Sequence, residues 1–225
     1  MSAIEERYRK VLREVADAAD VAGRDPAEVT LVAVTKTVGV SEVRQAIAAG
    51  MHDFGENRAP EFTGKQGLFP NERWHFIGTL QTNKVKQVAG HAELIHSVDS
   101  LGLLHAIDRR AHEAGLVQPV LLQVNVSGEL SKHGMTFEEA EDAARAAAGL
   151  PGVLVRGLMT MAPLGRPESA RWVFRECAGW MGRLASIHCD AVELTELSMG
   201  MSNDFAVAIE EGATIVRVGR ALFGR

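Results

Sequence analysis

The chain has 225 residues, 46% apolar and 24% charged, and its 29 acidic and 24 basic side chains leave a formal charge of −5. Those proportions exclude general disorder, and the mild acidity argues against a protein built to hold nucleic acid or an anionic membrane. No apolar run approaches the ~20 residues that span a bilayer, the opening MSAIEERYRKVLREVADAAD is too charged for a secretory signal, and Cys177 and Cys189 form no CxxC pair or disulfide framework.

The opening segment predicts a helix. Ile4, Tyr8, Val11, Leu12, Val15 and Ala19 recur at spacings of three and four, and Gly23 supplies a stop. Preceding the first strand, this helix is expected to pack outside the others or to plug one end. Eight short apolar runs follow, each closed by a polar or glycine-containing turn, at 31–35, 53–55, 75–78, 94–98, 120–126, 153–159, 193–198 and 214–218. Several are β-branched and nearly continuously apolar, as strands buried on both faces are.

Helix signals lie between them. Ser41 is placed to cap a helix reaching Gly50, and Thr136 with Glu139 forms a capping box. Pro167 suits the first turn of a long helix whose buried stripe includes Val173, Cys177, Trp180 and Leu184, and Ser202 is placed to cap a helix that stops at Gly212. Eight strand–helix units without an early GxGxxG predict one domain over residues 1–225, a closed α/β (β/α)8 TIM barrel with an extra N-terminal helix, in preference to an open doubly wound sheet.

In such barrels the chemistry sits where the strands end. Those ends carry Lys36, Glu56, Asn57, Gly78, Asp99, Asn125, Met159, the 198–200 segment and the 217–220 segment. A lysine there is either a solvated charge or, partly desolvated, an amine able to form a Schiff base with an aldehyde. The last two loops, SMGMS (198–202) and VGRALFG (218–224), have the small residues that let backbone N–H groups approach a phosphate. Glycines alone fit tight turns equally well, and Ser198 and Arg220 tip the balance toward an anion. Arg217, inside a β-branched run, is either a structural ion pair or faces a ring nitrogen of an aromatic cofactor. An amine, a phosphate pocket and an arginine between them match the aldehyde, phosphate and pyridine nitrogen of pyridoxal 5′-phosphate.

At this point a resemblance enters. The segments LVAVTKT (31–37), DFGEN (53–57), WHFIGTLQTNKVK (74–86), HSVDS (96–100), QVNVSGELSKHGM (123–135), RGLMTMAP (156–163), LSMGMSNDF (197–205) and VRVGRALFG (216–224) resemble, in order and over nearly the whole chain, the pyridoxal phosphate homeostasis protein family. The resemblance implies a barrel similar to the N-terminal domain of alanine racemase, with pyridoxal 5′-phosphate held as a Schiff base on Lys36. It implies that Ser198, Gly219 and Arg220 hold the phosphate, with Gly200 in the same loop. Arg217 is implied to lie opposite the pyridine nitrogen, and Asn57 and Met159 to line the cofactor. Arg220 is a departure, since the family usually has Ser or Thr there; it either adds a charged contact, serves through its backbone N–H, or points outward.

An arginine opposite the ring nitrogen discourages ring protonation and disfavours deep carbanion chemistry. Racemisation needs a second base, and the chain's one tyrosine is Tyr8 on the opening helix. The expectation is a cytoplasmic, monomeric carrier active in vitamin B6 homeostasis and supply, with no catalytic residues and no metal. Apo-enzymes that depend on the cofactor are its expected recipients. A racemase-like enzyme acting on amino acids is the alternative, and a Schiff-base aldolase ranks below it. His52, His75 and His96 read as structural groups, and Lys84 and Lys86 as a solvated face.

Overall fold

Residues 2–129 and 133–224 are described by a computed structural model. Residues 130–132 of the 123–135 motif, and the ends of the 1–225 domain, lie outside the described residues.

Strands β1 (Thr30–Val34), β2 (Asp53–Glu56), β3 (Arg73–Phe76), β4 (Leu94–Val98), β5 (Gln118–Gln123), β6 (Val153–Met159), β7 (Val192–Met201) and β8 (Ile215–Val218) pair in parallel, in chain order. β1 pairs with both β2 and β8, so the sheet closes and the open-sheet alternative falls. The helices are α1 (Ala3–Val21), α2 (Val40–Ala48), α3 (Ala59–Leu68), α4 (Leu101–Glu113), α5 (Phe137–Ala146), α6 (Arg171–Leu184), α7 (Phe205–Glu210) and α8 (Arg220–Phe223). Between β3 and β4 the crossover is a 3-10 stretch, Thr82–Gln87. Among the described residues no helix is long and apolar enough to cross a membrane.

The expected helix at the start is α1. It does not plug the barrel; it packs outside, against α2, α7 and α8. Ile4, Val11, Val15, Ala18 and Ala19 are its buried stripe, whereas Leu12, expected on that face, is exposed. The Thr136–Glu139 capping box forms at α5. Pro167 opens a 3-10 turn, Pro167–Ala170, that runs into α6, and Trp180 is only half-buried on the α6 stripe.

Two expected caps are corrected. Gly39, not Ser41, precedes α2, because the turn after β1 tightens early and draws the helix start forward to Val40. Ser202 does not cap α7, whose N-cap is Asp204. Its hydroxyl instead accepts from the N–H groups of Gly219 and Ala221, both at 3.3 Å, and so ties the loop after β7 to the start of α8. The fifth strand also ends earlier than expected, because the Asn125 N–H turns to the Met135 carbonyl and leaves the barrel ladder.

Strand pleating sorts the core into two layers. Residues such as Ala33, Phe54, Phe76, Ile95, Leu122, Leu158, Val216 and Val218 belong to the large cluster under the helices. Side chains alternate along a strand, so their neighbours face the barrel axis. There Val32, Leu94, Leu121, Met159 and Ile215 form a separate apolar cluster. On the same inward parity stand Asp53, His75, His96, Ser198 and Arg217, a polar column inside an otherwise apolar barrel.

Candidate functional site

The parity that points Val32 and Val34 inward carries Lys36 to the mouth, just past the end of β1. Its side chain is exposed, not desolvated as the sequence reading supposed. Among the described residues its ammonium has no hydrogen bond or ion pair. The next residue, Thr37, has φ +63°, the one positive φ at a non-glycine among the described residues. A β-branched residue in that region is strained, and such strain persists where the surroundings enforce it.

A brace is buried behind the mouth. Glu56, 1% exposed at the end of β2, accepts from Thr35 Oγ1 at 2.8 Å and pairs with Lys65 of α3. The Lys65 ammonium also donates to the Thr35 carbonyl at 2.7 Å, and the second Glu56 oxygen accepts from the Asn57 N–H at 3.1 Å. One buried carboxylate thus fixes the residues adjoining both Lys36 and Asn57.

Lys36, Asn57, Arg217, Gly219 and Arg220 line one cavity of about 460 Å³ together with Val34, Ile77, Met161, Met201 and Ser202. That is a common size for a small-molecule pocket. Asn57 Oδ1 is buried without a hydrogen-bond partner among the described residues. Opposite, Arg217 is 4% exposed and donates to Ser198 Oγ at 2.6 Å and to the Thr160 carbonyl at 3.0 Å. Burial pulls its pKa down to about 10, against the pull of Asp204 and Cys177, so it stays charged at neutral pH. Arg220 is exposed, and its guanidinium donates to Asn203 Oδ1 at 3.4 Å.

Three of the eight expected site residues do not line this cavity. Ser198 is fully buried beneath Arg217, its hydroxyl occupied by the donation from that guanidinium and by a hydrogen bond with His96 Nδ1 at 2.9 Å. Met159 belongs to the apolar cluster lower in the barrel. Gly200 packs on α7: at its φ of +88°, an added Cβ would lie 2.6 Å from Ala208 Cβ, so close packing and backbone conformation account for the glycine.

Comparison with known proteins agrees with this architecture. A family model described as the alanine racemase N-terminal domain matches residues 9–225. A pyridoxal phosphate homeostasis protein of Pseudomonas aeruginosa is 44% identical over 228 residues, covering 100% of this chain and 96% of the relative. One from Aquifex aeolicus is 43% identical over 97% of this chain and 96% of its own length. The chain belongs to the pyridoxal phosphate homeostasis protein family. Among solved structures, PipY of Synechococcus elongatus with PLP bound has a TM-score of 0.81 at 37% identity, covering 93% of this chain and all of that one. Alanine racemase from Corynebacterium glutamicum shares the fold, with a TM-score of 0.71 at 18% identity over 96% of this chain and 61% of the racemase.

Within this family member, sequence reasoning missed Ile77 as a lining residue, and the Glu56–Lys65 brace. The signal for Ile77 was available, since it keeps the inward parity of His75. Lys65 carried none, because a lysine on a helix reads as solvated until the helix is docked. Tyr8 lies far from the mouth, its hydroxyl 3.4 Å from the Gly50 carbonyl at the approach to β2. His75 and His96 are buried and hydrogen-bonded to one another, while exposed His52 pairs with Glu72. Among the described residues no group of three His, Cys, Asp or Glu side chains could hold a metal. Lys84 is half-buried and, with Asn57 and Arg58, lines a second cavity of about 420 Å³ beside the first.

Proposed function

We propose that the protein binds pyridoxal 5′-phosphate in the mouth cavity, with Lys36 holding its aldehyde as a Schiff base, and that it acts in vitamin B6 homeostasis and supply rather than in turnover. The observation that carries this reading is the amine of Lys36, unpaired among the described residues, in a cavity whose other wall is the buried guanidinium of Arg217. An amine without an acceptor is free to condense with a carbonyl. Arg217 presents donors only, which suits a ring nitrogen that keeps its lone pair. Asn57 Oδ1, buried with no donor, suits a ligand hydroxyl. Ser202 and Arg220 supply O–H and guanidinium donors for a phosphate, on the wall that Gly219 also lines. When bound, the group supplies an aldehyde reactive toward amines and an electron-accepting ring. The relatives named for this homeostasis, and the PLP-bound PipY, support the same ligand.

Tyr8, the chain's one tyrosine, sits at the far end of the barrel, which favours a carrier over a two-base racemase. The reading extends to a cytoplasmic monomer that passes the cofactor to apo-enzymes. Incubation with pyridoxal phosphate tests it. The wild type gains a Schiff-base absorption band and, after borohydride reduction, a pyridoxyl adduct on Lys36; Lys36→Ala gains neither. A band of equal strength in Lys36→Ala overturns the assignment, and steady Lys36-dependent product formation from an amino acid overturns the carrier reading.

A further inference from the structure

The polar column inside the barrel is continuous from floor to mouth. At the floor, Asp53 sits in a small polar pit of about 190 Å³ with Arg73, Glu93, Arg156 and Glu196. Arg73 grips its carboxylate through two hydrogen bonds, and His75 Nε2 stands 3.2 Å from Asp53 Oδ1. His75 Nδ1 is 3.0 Å from His96 Nε2, His96 Nδ1 is 2.9 Å from Ser198 Oγ, and Ser198 Oγ accepts from Arg217. Four successive hydrogen bonds therefore join a half-buried carboxylate at the floor to the guanidinium that walls the cavity.

The chemistry of the two ends sets the direction of every link. Asp53 as a carboxylate only accepts, so His75 carries its hydrogen on Nε2. In neutral His75 the Nδ1 is then bare and accepts from His96 Nε2–H. His96 Nδ1 is bare in turn and accepts the Ser198 hydroxyl hydrogen, which leaves the Ser198 lone pairs to the Arg217 N–H. The reverse arrangement fails at Ser198: with His96 Nδ1–H and Arg217 both donating to one oxygen, the serine hydrogen has no acceptor in the column. Burial keeps His96 neutral, as the column requires: desolvation first, and then the nearby Arg217 charge, hold its pKa well below the ordinary histidine value. Bonds aligned head to tail polarise one another, and the low-dielectric interior strengthens each.

We propose that Asp53, His75, His96 and Ser198 form a one-way hydrogen-bond relay that positions Arg217 from the barrel floor. The relay fixes one guanidinium nitrogen on Ser198 and so sets which N–H groups are left for the ligand. The relay itself stands on the column. Its consequence for the ring nitrogen rests on the proposed binding of pyridoxal phosphate at Arg217.

Nitrogen-15 spectra of the imidazoles in the ligand-free protein test the relay without any cofactor. The wild type shows both His75 and His96 protonated at Nε2 and bare at Nδ1. Asp53→Asn, whose amide can donate as well as accept, turns His96 into a mixture of tautomers. Ser198→Ala leaves the His75 tautomer in place and releases Arg217. Loaded with pyridoxal phosphate, it shows a displaced absorption band and about three- to tenfold weaker binding, the worth of one hydrogen bond, with the Lys36 adduct still formed. A hydrogen on His96 Nδ1 in the wild type overturns the relay. So does a Ser198→Ala protein that forms the adduct with a band and affinity unchanged. Should the wild type form no adduct, the binding proposal fails while the tautomers still decide the relay.

Discussion

The two ends of this barrel treat their charges differently. At the floor the clustered charges pair: Asp53 with Arg73 and His75, and Arg156 with Glu193 and Glu196. At the mouth, Lys36 has no partner among the described residues, Asn57 Oδ1 is orphaned and Thr37 is strained. Matched charges stabilise the fold, and unmatched polar groups held in place by buried ones are ready for a ligand. The comparison predicts that substitutions in the matched and bracing parts cost stability, while substitutions among the unmatched groups cost binding.

The largest loss is expected at the brace behind the mouth. Glu56→Ala leaves Lys65, whose side chain is 12% exposed, charged without its carboxylate. Breaking one partner of a buried pair costs about 3–5 kcal/mol. Urea denaturation of the purified variant reads this directly. A cost under 1 kcal/mol would mean that water or a rearranged Lys65 replaces the carboxylate, and that Thr35 and Asn57 are held by something else.

Gly200→Ala comes next, at about 2–4 kcal/mol, from a positive φ combined with overpacking against Ala208 and Phe205. At low temperature, where the variant is folded, its loading with pyridoxal phosphate stays near wild type. Lost loading in a folded variant would instead return Gly200 to the binding loop.

The floor contributes a pH dependence. Burial raises the Asp53 pKa, but hydrogen bonds from His75 and Arg73 outweigh it and bring it down to about 2 from an ordinary 3.8. The unfolded chain therefore binds this proton first on acidification. The resulting stabilisation, about 2 kcal/mol, is whole above pH 3.8 and is lost as the pH falls through 2. His96, buried neutral, adds a separate loss that begins earlier, as the pH drops below the ordinary histidine value of 6.5. Urea midpoints measured from about pH 8 to about pH 2 should fall first below 6.5 and again below 3.8, and Asp53→Asn should flatten the acid end. Stability that holds constant from pH 7 to pH 5 would show His96 to be protonated in the fold.

Strand parity made much of this legible in advance. The eight strands and their closure follow from apolar runs separated by helix signals, and two of them, 94–98 and 153–159, coincide with β4 and β6. Lys36, Asn57, Arg217, Gly219 and Arg220 stand at strand ends, which is why the sequence places them at the mouth. Ser198 reads from sequence as part of a phosphate loop, whereas β7 continues as far as Met201 and keeps that serine inside, off the cavity lining. Ser202 was misread as a local cap because its partners, Gly219 and Ala221, lie 17 and 19 residues further on. Side chains that satisfy distant backbone leave no local pattern to read.

The smallest expected change in stability belongs to the residue with the largest expected functional effect. Lys36 is exposed, and its ammonium touches no acceptor among the described residues, so Lys36→Ala should change the unfolding free energy by no more than about 0.5 kcal/mol. The same substitution removes the one amine at the end of β1, and loading with pyridoxal phosphate should vanish. Urea curves and absorbance spectra on the same preparation separate the two effects. A variant that loses more than 1 kcal/mol would place Lys36 among the matched groups of the fold, and the contrast between mouth and floor would fail at its central residue.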